Sequence, residues 1–339
     1  MSMLRPLTLH QWGLETNATH GTAVAATSKI AVADVVWTPI DEMYRPNLAR
    51  GLILPHSGQE TPVRRGSTFK VTDQPVVFDQ LQHWCAMAIA GNVSGVLTGG
   101  DHYLYTFTRN PAADPDPDSF TFERRLSDGT NFVDLEWRYC MLSMLGFSFE
   151  QGQALKFSAE GFARRVQSST LTASLPFPST NIANIQAAPG GTLSIDSTWA
   201  TIGTTLISGQ VRSAKFNFKT GLKPVILIDG RTDLDFSQHV VDGNEVGMTL
   251  DIEVLLTKAQ FDAQKTAAEA GTLRAVRLEL AQESTRNIQI DGLFKFEAAS
   301  FFEVGDADGQ VAGTFKLVES TDGTNLLRIK VNNTAADYT

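Results

Sequence analysis

Apolar residues recur at every second position through most of this chain, and only two stretches change to spacings of three and four. The clearest alternation runs from Phe132 to Val166 and breaks once, at Glu150-Gln151-Gly152-Gln153, which predicts a long β-hairpin. Val133, Leu135, Trp137, Tyr139 and Met141 share one face, while Asp134, Glu136 and Arg138 share the other, so one side is core and one is wet. Between Tyr139 and Phe149 both faces turn apolar, which predicts cover on two sides, from the same domain or a neighbouring subunit. On the return, Leu155, Phe157 and Ala159 oppose Lys156, Ser158 and Glu160 until Gly161 interrupts, as a bulge does.

Residues 1–28 lack steady periodicity and read as an arm, and Lys29 to Trp37 reads as a strand. Pro39, Pro46, Pro55 and Pro62 fall in the next stretch, 39–66; that density forbids a central strand and predicts a long exposed loop, whose simplest role is contact with another subunit. A short strand at 67–72 precedes a helix at 75–90, with Asp73 as N-cap, Gly91 as stop, and Phe78, Leu81, Trp84, Cys85, Ala88 and Ile89 as its apolar face. Strands at 103–109 and 119–126 flank a proline-rich loop. After the hairpin, Gln167 to Asp196 is dominated by small and polar residues, the composition of a domain junction.

The second half then runs strand 206–220, loop and turn 221–244, strand 245–256, helix 258–270, and strands near 273–281, 288–298, 311–319 and 325–332. Thr257 caps this second helix, Phe261, Gln264, Lys265 and Ala268 form its face, and Gly271 ends it. Both halves read ββαββββ, and Phe216-x-Phe218-x-x-Gly221 echoes Phe147-x-Phe149-x-x-Gly152, so a duplicated domain is the simplest explanation. The expected organisation is an N-terminal arm (1–28), a first β domain (29–170), a linker (171–200), a second β domain (201–333) and a tail (334–339). The fold class is mainly β with two short helices, a sandwich or barrel.

Composition narrows the function. The 339 residues are 42% apolar and 19% charged, without an apolar run of membrane-spanning length or a signal-peptide core, so folding in the cytoplasm is expected. Cys85 and Cys140 sit in apolar segments and read as buried thiols. A net charge of −9 disfavours gripping nucleic acid; it suits a conduit that lets DNA slide past, but from composition alone plain solubility is the leading explanation.

No catalytic or cofactor pattern emerges. His10, His20, His56, His83, His102 and His239 show no metal-binding spacing, and Asp114, Asp116 and Asp118 lack the glycine and distal glutamate of a calcium loop. No phosphate-cradling loop or nucleophile elbow occurs, so no enzyme, cofactor or metal is expected.

One resemblance is specific. The aromatic strand YLYTFTRN at 103–110, the strand SFTFERR at 119–125, the turn Asp128-Gly129 and the hairpin that follows resemble, in order and texture, the major tail tube protein of long-tailed bacteriophages. It implies a virion protein whose rings of six domains stack into a tube that conducts DNA, with itself, tape measure, terminator and baseplate proteins as partners and no membrane. With two domains per chain, a trimer replaces the hexamer. It also implies that the loops 39–66 and 221–244 reach the adjacent ring, where Arg50, Arg64 and Arg65, and Asp229, Arg231, Asp233 and Asp235, would form charged contacts. A tail terminator or baseplate hub protein, or a carbohydrate-binding β module, are the competing readings.

Overall fold

The computed structural model describes residues 7–15, 20–31, 34–44, 61–91, 93–112, 116–127, 131–175, 191–207, 211–227, 233–283, 286–297, 302–305 and 310–336. The protein is mainly β, with two helices. The first half contains β1 (Leu7–Glu15), β2 (Ser28–Lys29), β3 (Val36–Tyr44), β4 (Thr61–Pro75), α1 (Phe78–Ala88), β5 (Val96–Gly99) and β6 (His102–Arg109). It continues with β7 (Ser119–Ser127), β8 (Phe132–Glu150), β9 (Lys156–Ala163) and β10 (Gln167–Ser168). The second half contains β11 (Gly191–Asp196), β12 (Val211–Val225), β13 (Gln238–Thr257), α2 (Lys258–Glu269) and β14 (Arg274–Glu283). It ends with β15 (Arg286–Phe296), β16 (Phe302–Gly305), β17 (Gln310–Glu319) and β18 (Leu327–Asn333).

All pairings are antiparallel. One long sheet runs β3-β4-β9-β8-β12-β13-β17-β16, so the C-terminal part of β8 joins the halves edge to edge. The N-terminal part of β8 belongs to a second sheet, β2-β1-β7-β8-β10. A third runs β11-β14-β15-β18-β6-β5, and the end of β15 also pairs with β17, linking this sheet to the long one. Pairing relations recur between the halves: β1 with β7 as β11 with β14, β3 with β4 as β12 with β13, and β4 with β9 as β13 with β17. Likewise β7 pairs β8 as β14 pairs β15, and β10 pairs β8 as β18 pairs β15. The β5–β6 hairpin has no counterpart between α2 and β14; β6 instead takes β18, tying the last strand to the first half. The main buried core runs from Trp12 to Val331 through both halves, beside smaller clusters around Tyr139 and Phe236 and around Ile202 and Leu293.

Several expectations change. Residues 7–15, read within an arm, form β1, and Trp12 is wholly buried among Trp84, Phe120 and Phe122. The proline-rich stretch holds most of β3 and the start of β4, because Pro39 lies on β3, an edge strand that can spare an N–H, and Pro62 is near the start of its strand. The 221–244 loop shortens, since β12 runs on to Val225 and β13 starts at Gln238. β11 occupies the stretch read as linker.

Helix α1 starts later than expected: Val77 stands at the N-cap without a side-chain bond, and Asp73 sits in a left-handed turn at φ 47°. All eleven of its residues are buried, because the C-terminal segment and residues after β2 cover its polar side. Asn333 Nδ2 donates to Phe78 O and Gln82 Oε1, Thr334 donates to Asp79 Oδ1, and Gln80 bonds Lys29 O and Ala31 N. Thr257 caps α2 in a reciprocal capping box with Gln260, as expected for its position. Ala267, rather than Lys265, completes the buried face.

Candidate functional site

The long sheet has two unlike faces because its strands alternate strictly. In register, Phe157, Phe147, Phe216, Leu250 and Leu317 form one row across β9, β8, β12, β13 and β17 on the core side. Residues one step along point the other way. That wet face carries Lys70, Lys156, Glu160, Lys215, Asp251 and Lys316, so cations and carboxylates are mixed. Lys70 Nζ meets Glu160 Oε1 at 2.6 Å, and the hydrogen bond raises the lysine's pKa although both groups are well exposed. A groove of ≈ 630 Å³ crosses this face at the seam between the halves, lined by Glu150, Lys156, Arg212, Lys215, Asp251 and Glu253.

Both margins of the long sheet are open: among the described residues, β3 pairs only with β4 and β16 only with β17. Unpaired strand edges are templates for another strand. The β3–β4 hairpin shows exposed Met43, Tyr44 and Val63, and the matching β12–β13 hairpin shows exposed Ile226, Leu227 and Val240.

Arg50, Asp229 and Arg231 lie outside the described residues. Arg64 and Arg65 pair within their own hairpin, with Glu42 at 3.1 Å and Asp41 at 3.2 Å. The Arg65 N–H also donates to Leu234 O at 3.0 Å, so the two loop regions meet inside one chain. A cleft of ≈ 280 Å³ lies at that meeting point, lined by Arg64, Arg65, Phe162, Lys223, Phe236 and Glu245 among others. Asp233 Oδ1 accepts the Asp235 N–H, and the buried Asp235 carboxylate accepts the Arg165 N–H at 2.9 Å. Burial raises the Asp235 pKa, against the pull of that bond.

The histidines, scattered in sequence, are not all scattered in space. His20 and His239 meet at 5.6 Å beside Tyr139, a convergence without a sequence signal because the three residues lie far apart in the chain, in a turn between β1 and β2, on β8 and on β13. Glu15, Ser119 and His20 form a hydrogen-bonded chain, but Ser119 is wholly buried and donates to Glu15, so it presents no nucleophile. Cys85 and Cys140 are buried free thiols, and burial pushes both pKa values up. Asp116 and Asp118 serve the end of α1 through backbone bonds: Gly91 N–H donates to Asp116 O, and Asp118 N–H donates to Ala86 O. Asp114 lies outside the described residues. Trp12, Trp84 and Trp137 are core residues, and Trp37 stacks on Trp137 at 4.0 Å, so these four rings offer no exposed platform for a sugar. No described helix is long and apolar enough to cross a membrane.

No protein-family model matches the chain, and no curated protein matches it at a significant level.

Proposed function

We propose that this chain is a structural subunit that polymerises into the tail tube of a long-tailed bacteriophage, a conduit for genome DNA, and that it carries no catalytic residue. The observation that carries the reading is the long sheet: two four-stranded units are already joined edge to edge by β8 and β12, and β3 and β16 remain open at its two ends. Repeating the internal joint between chains pairs β16 of one with β3 of the next, a head-to-tail contact that closes into a ring. The recurrence of pairing relations supports a duplicated domain and hence a trimer with pseudo-sixfold symmetry. Three chains supply about 24 strands; at ~4.8 Å spacing and ~40° tilt the backbone ring is ~48 Å across, and side chains leave a lumen of ~38 Å for a DNA duplex. The mixed charges of the wet face would line it, giving phosphates no uniform cationic track to bind.

The partners in this reading are further copies of the chain and the terminator, tape measure and baseplate proteins; the site of action is the virion tail, assembled in the host cytoplasm. Blocking the open edge tests it. Val36, 55% exposed on β3, replaced by Lys should leave the monomer folded but abolish ring formation in mass photometry over a concentration series. Unchanged assembly of V36K would remove β3 as the joint.

A further inference from the structure

Tyr139 stands where β8 passes between sheets, its partners changing from β7 and β10 to β9 and β12. Its φ is +56°, a left-handed backbone that a bulky residue adopts only when its surroundings impose it. Those surroundings come from four segments. Glu15 Oε1 on β1 accepts the Tyr139 N–H at 3.0 Å. The Arg164 guanidinium lies 5.0 Å from the ring centroid. His20 stacks on the ring at 5.1 Å, and the hydroxyl lies 3.1 Å from His239 Nδ1 on β13.

The hydrogen bonds fix the His20 tautomer. Ser119 donates its hydroxyl hydrogen to Glu15 Oε2 at 2.6 Å, so the 2.7 Å contact from His20 Nδ1 to Ser119 Oγ requires the proton on Nδ1. His20 Nε2 is then bare, buried and without a hydrogen-bond partner among the described residues. His239 Nδ1 and the Tyr139 hydroxyl share a hydrogen bond at 3.1 Å that either group can donate. Both rings satisfy these contacts in the neutral form.

The same cluster ties the N-terminal segment to the residues that lead into β13. Arg164 donates to Gly21 O at 3.1 Å and to Phe236 O and Ser237 O at 3.2 Å each, while Arg65 N–H holds Leu234 O. We propose that the His20–Tyr139–His239 stack is an acid-operated latch: neutral histidines hold the N-terminal segment, the β8 corner and residues 233–239 together, and protonation releases them.

A second proton on either ring joins Arg164 in a half-buried site. Burial lowers the His20 pKa below 6.5, with Asp116 opposing and Arg164 reinforcing. Burial likewise lowers His239, with His20 reinforcing and Asp116 opposing. Glu15 is occupied by donors from Ser119, Thr121, Gly21 and Tyr139, the Tyr139 hydroxyl is itself pushed up by burial, and Asp235 is engaged by Arg165. For histidines whose folded value is depressed, the latch is fully stabilising above the unfolded value of 6.5 and is lost as pH falls below it.

Hydrogen-exchange protection factors, referenced to intrinsic rates at pH 7.5 and pH 5.0, test the latch. Wild-type protein should lose about tenfold protection at 20–27 and 234–240 on acidification while 248–252 of β13 is unchanged. The isosteric H20N/H239N, which retains the Nδ1-position donor and acceptor but does not titrate, should show no such loss. His10→Asn should behave as wild type, because His10 is lowered to about 4 and lies elsewhere on β1. Flat protection in the wild type, or the same loss in H20N/H239N, overturns the proposal. If the double variant does not fold, H20N alone, which keeps the Tyr139 hydroxyl partnered and His239 titrating, should lose less protection than the wild type, and a loss equal to the wild type's overturns the proposal.

Discussion

Phe147 and Phe216 face each other across the joint between the halves, their rings 6.5 Å apart and within 14° of parallel. The echo between Phe147-x-Phe149 and Phe216-x-Phe218 therefore does not mark equivalent positions. β8 and β12 are antiparallel neighbours, with Ala214 opposite Phe149 and Phe218 opposite Leu145. Both phenylalanines are buried in the core shared by the two halves. Phe216→Ala should cost about 3–5 kcal/mol and lower the urea midpoint of one common transition. Two separated transitions would show that the halves unfold independently.

Asp291 is wholly buried on β15 between Arg277 on β14 and Arg328 on β18, at 2.7 Å and 2.6 Å. The hydrogen bond to Asp291 leads the causes that raise the Arg277 pKa. Removing the carboxylate leaves two guanidinium groups facing each other. Asp291→Ala should destabilise by about 3–5 kcal/mol in urea unfolding. A loss below about 1 kcal/mol would mean that water reaches the pair.

Asp196 braces the loop between β11 and β12, accepting from Gly203 N–H, Thr204 Oγ1 and Thr205 N–H. Burial alone would raise its carboxyl, but these donors hold it below the usual 3.8. A depressed folded value means that the bracing is complete above the unfolded value and is lost as pH falls through the folded one. Asp196→Asn should lower the melting temperature at pH 7 and approach the wild type near pH 2; an equal gap at both pH values would contradict this.

Cys85 and Cys140 are wholly buried, and burial holds both as thiols. Iodoacetamide at pH 8 should leave both unmodified in the native protein and label both on unfolding, as read by mass spectrometry. Native labelling would place a thiol in a readily opened region.

Much of the strand framework is legible because alternation is the direct consequence of a half-buried strand: the extent of the β8–β9 hairpin and the clean face of β13 follow from it. At the start of β8, however, the expected faces are reversed, Val133 being exposed while the Asp134 and Glu136 carboxylates are buried by Arg125, Arg138 and Ser169. The cap at Thr257 is legible because its chemistry is local. What the sequence hides is tertiary. Pro39 and Pro62 argue against strands until β3 is known to be an edge; β1 looks featureless until Trp12 finds its aromatic neighbours. The polar residues of α1 suggest a wet face until Asn333 and Thr334 cover them. The resemblance assigns Arg64, Arg65, Asp233 and Asp235 to contacts between rings, a placement no local pattern carries, and the structure brings their segments together within a chain through Leu234, Arg164 and Arg165.

Electron microscopy of the concentrated protein, with rotational averaging of end-on views, tests the proposed tube most directly. The account predicts hollow, axially repeating tubes whose rings average with threefold symmetry, each third built from one chain. True sixfold averages, dimers joined through β3 on both sides, or compact particles under every condition together with absence of this protein from virion tubes would contradict it.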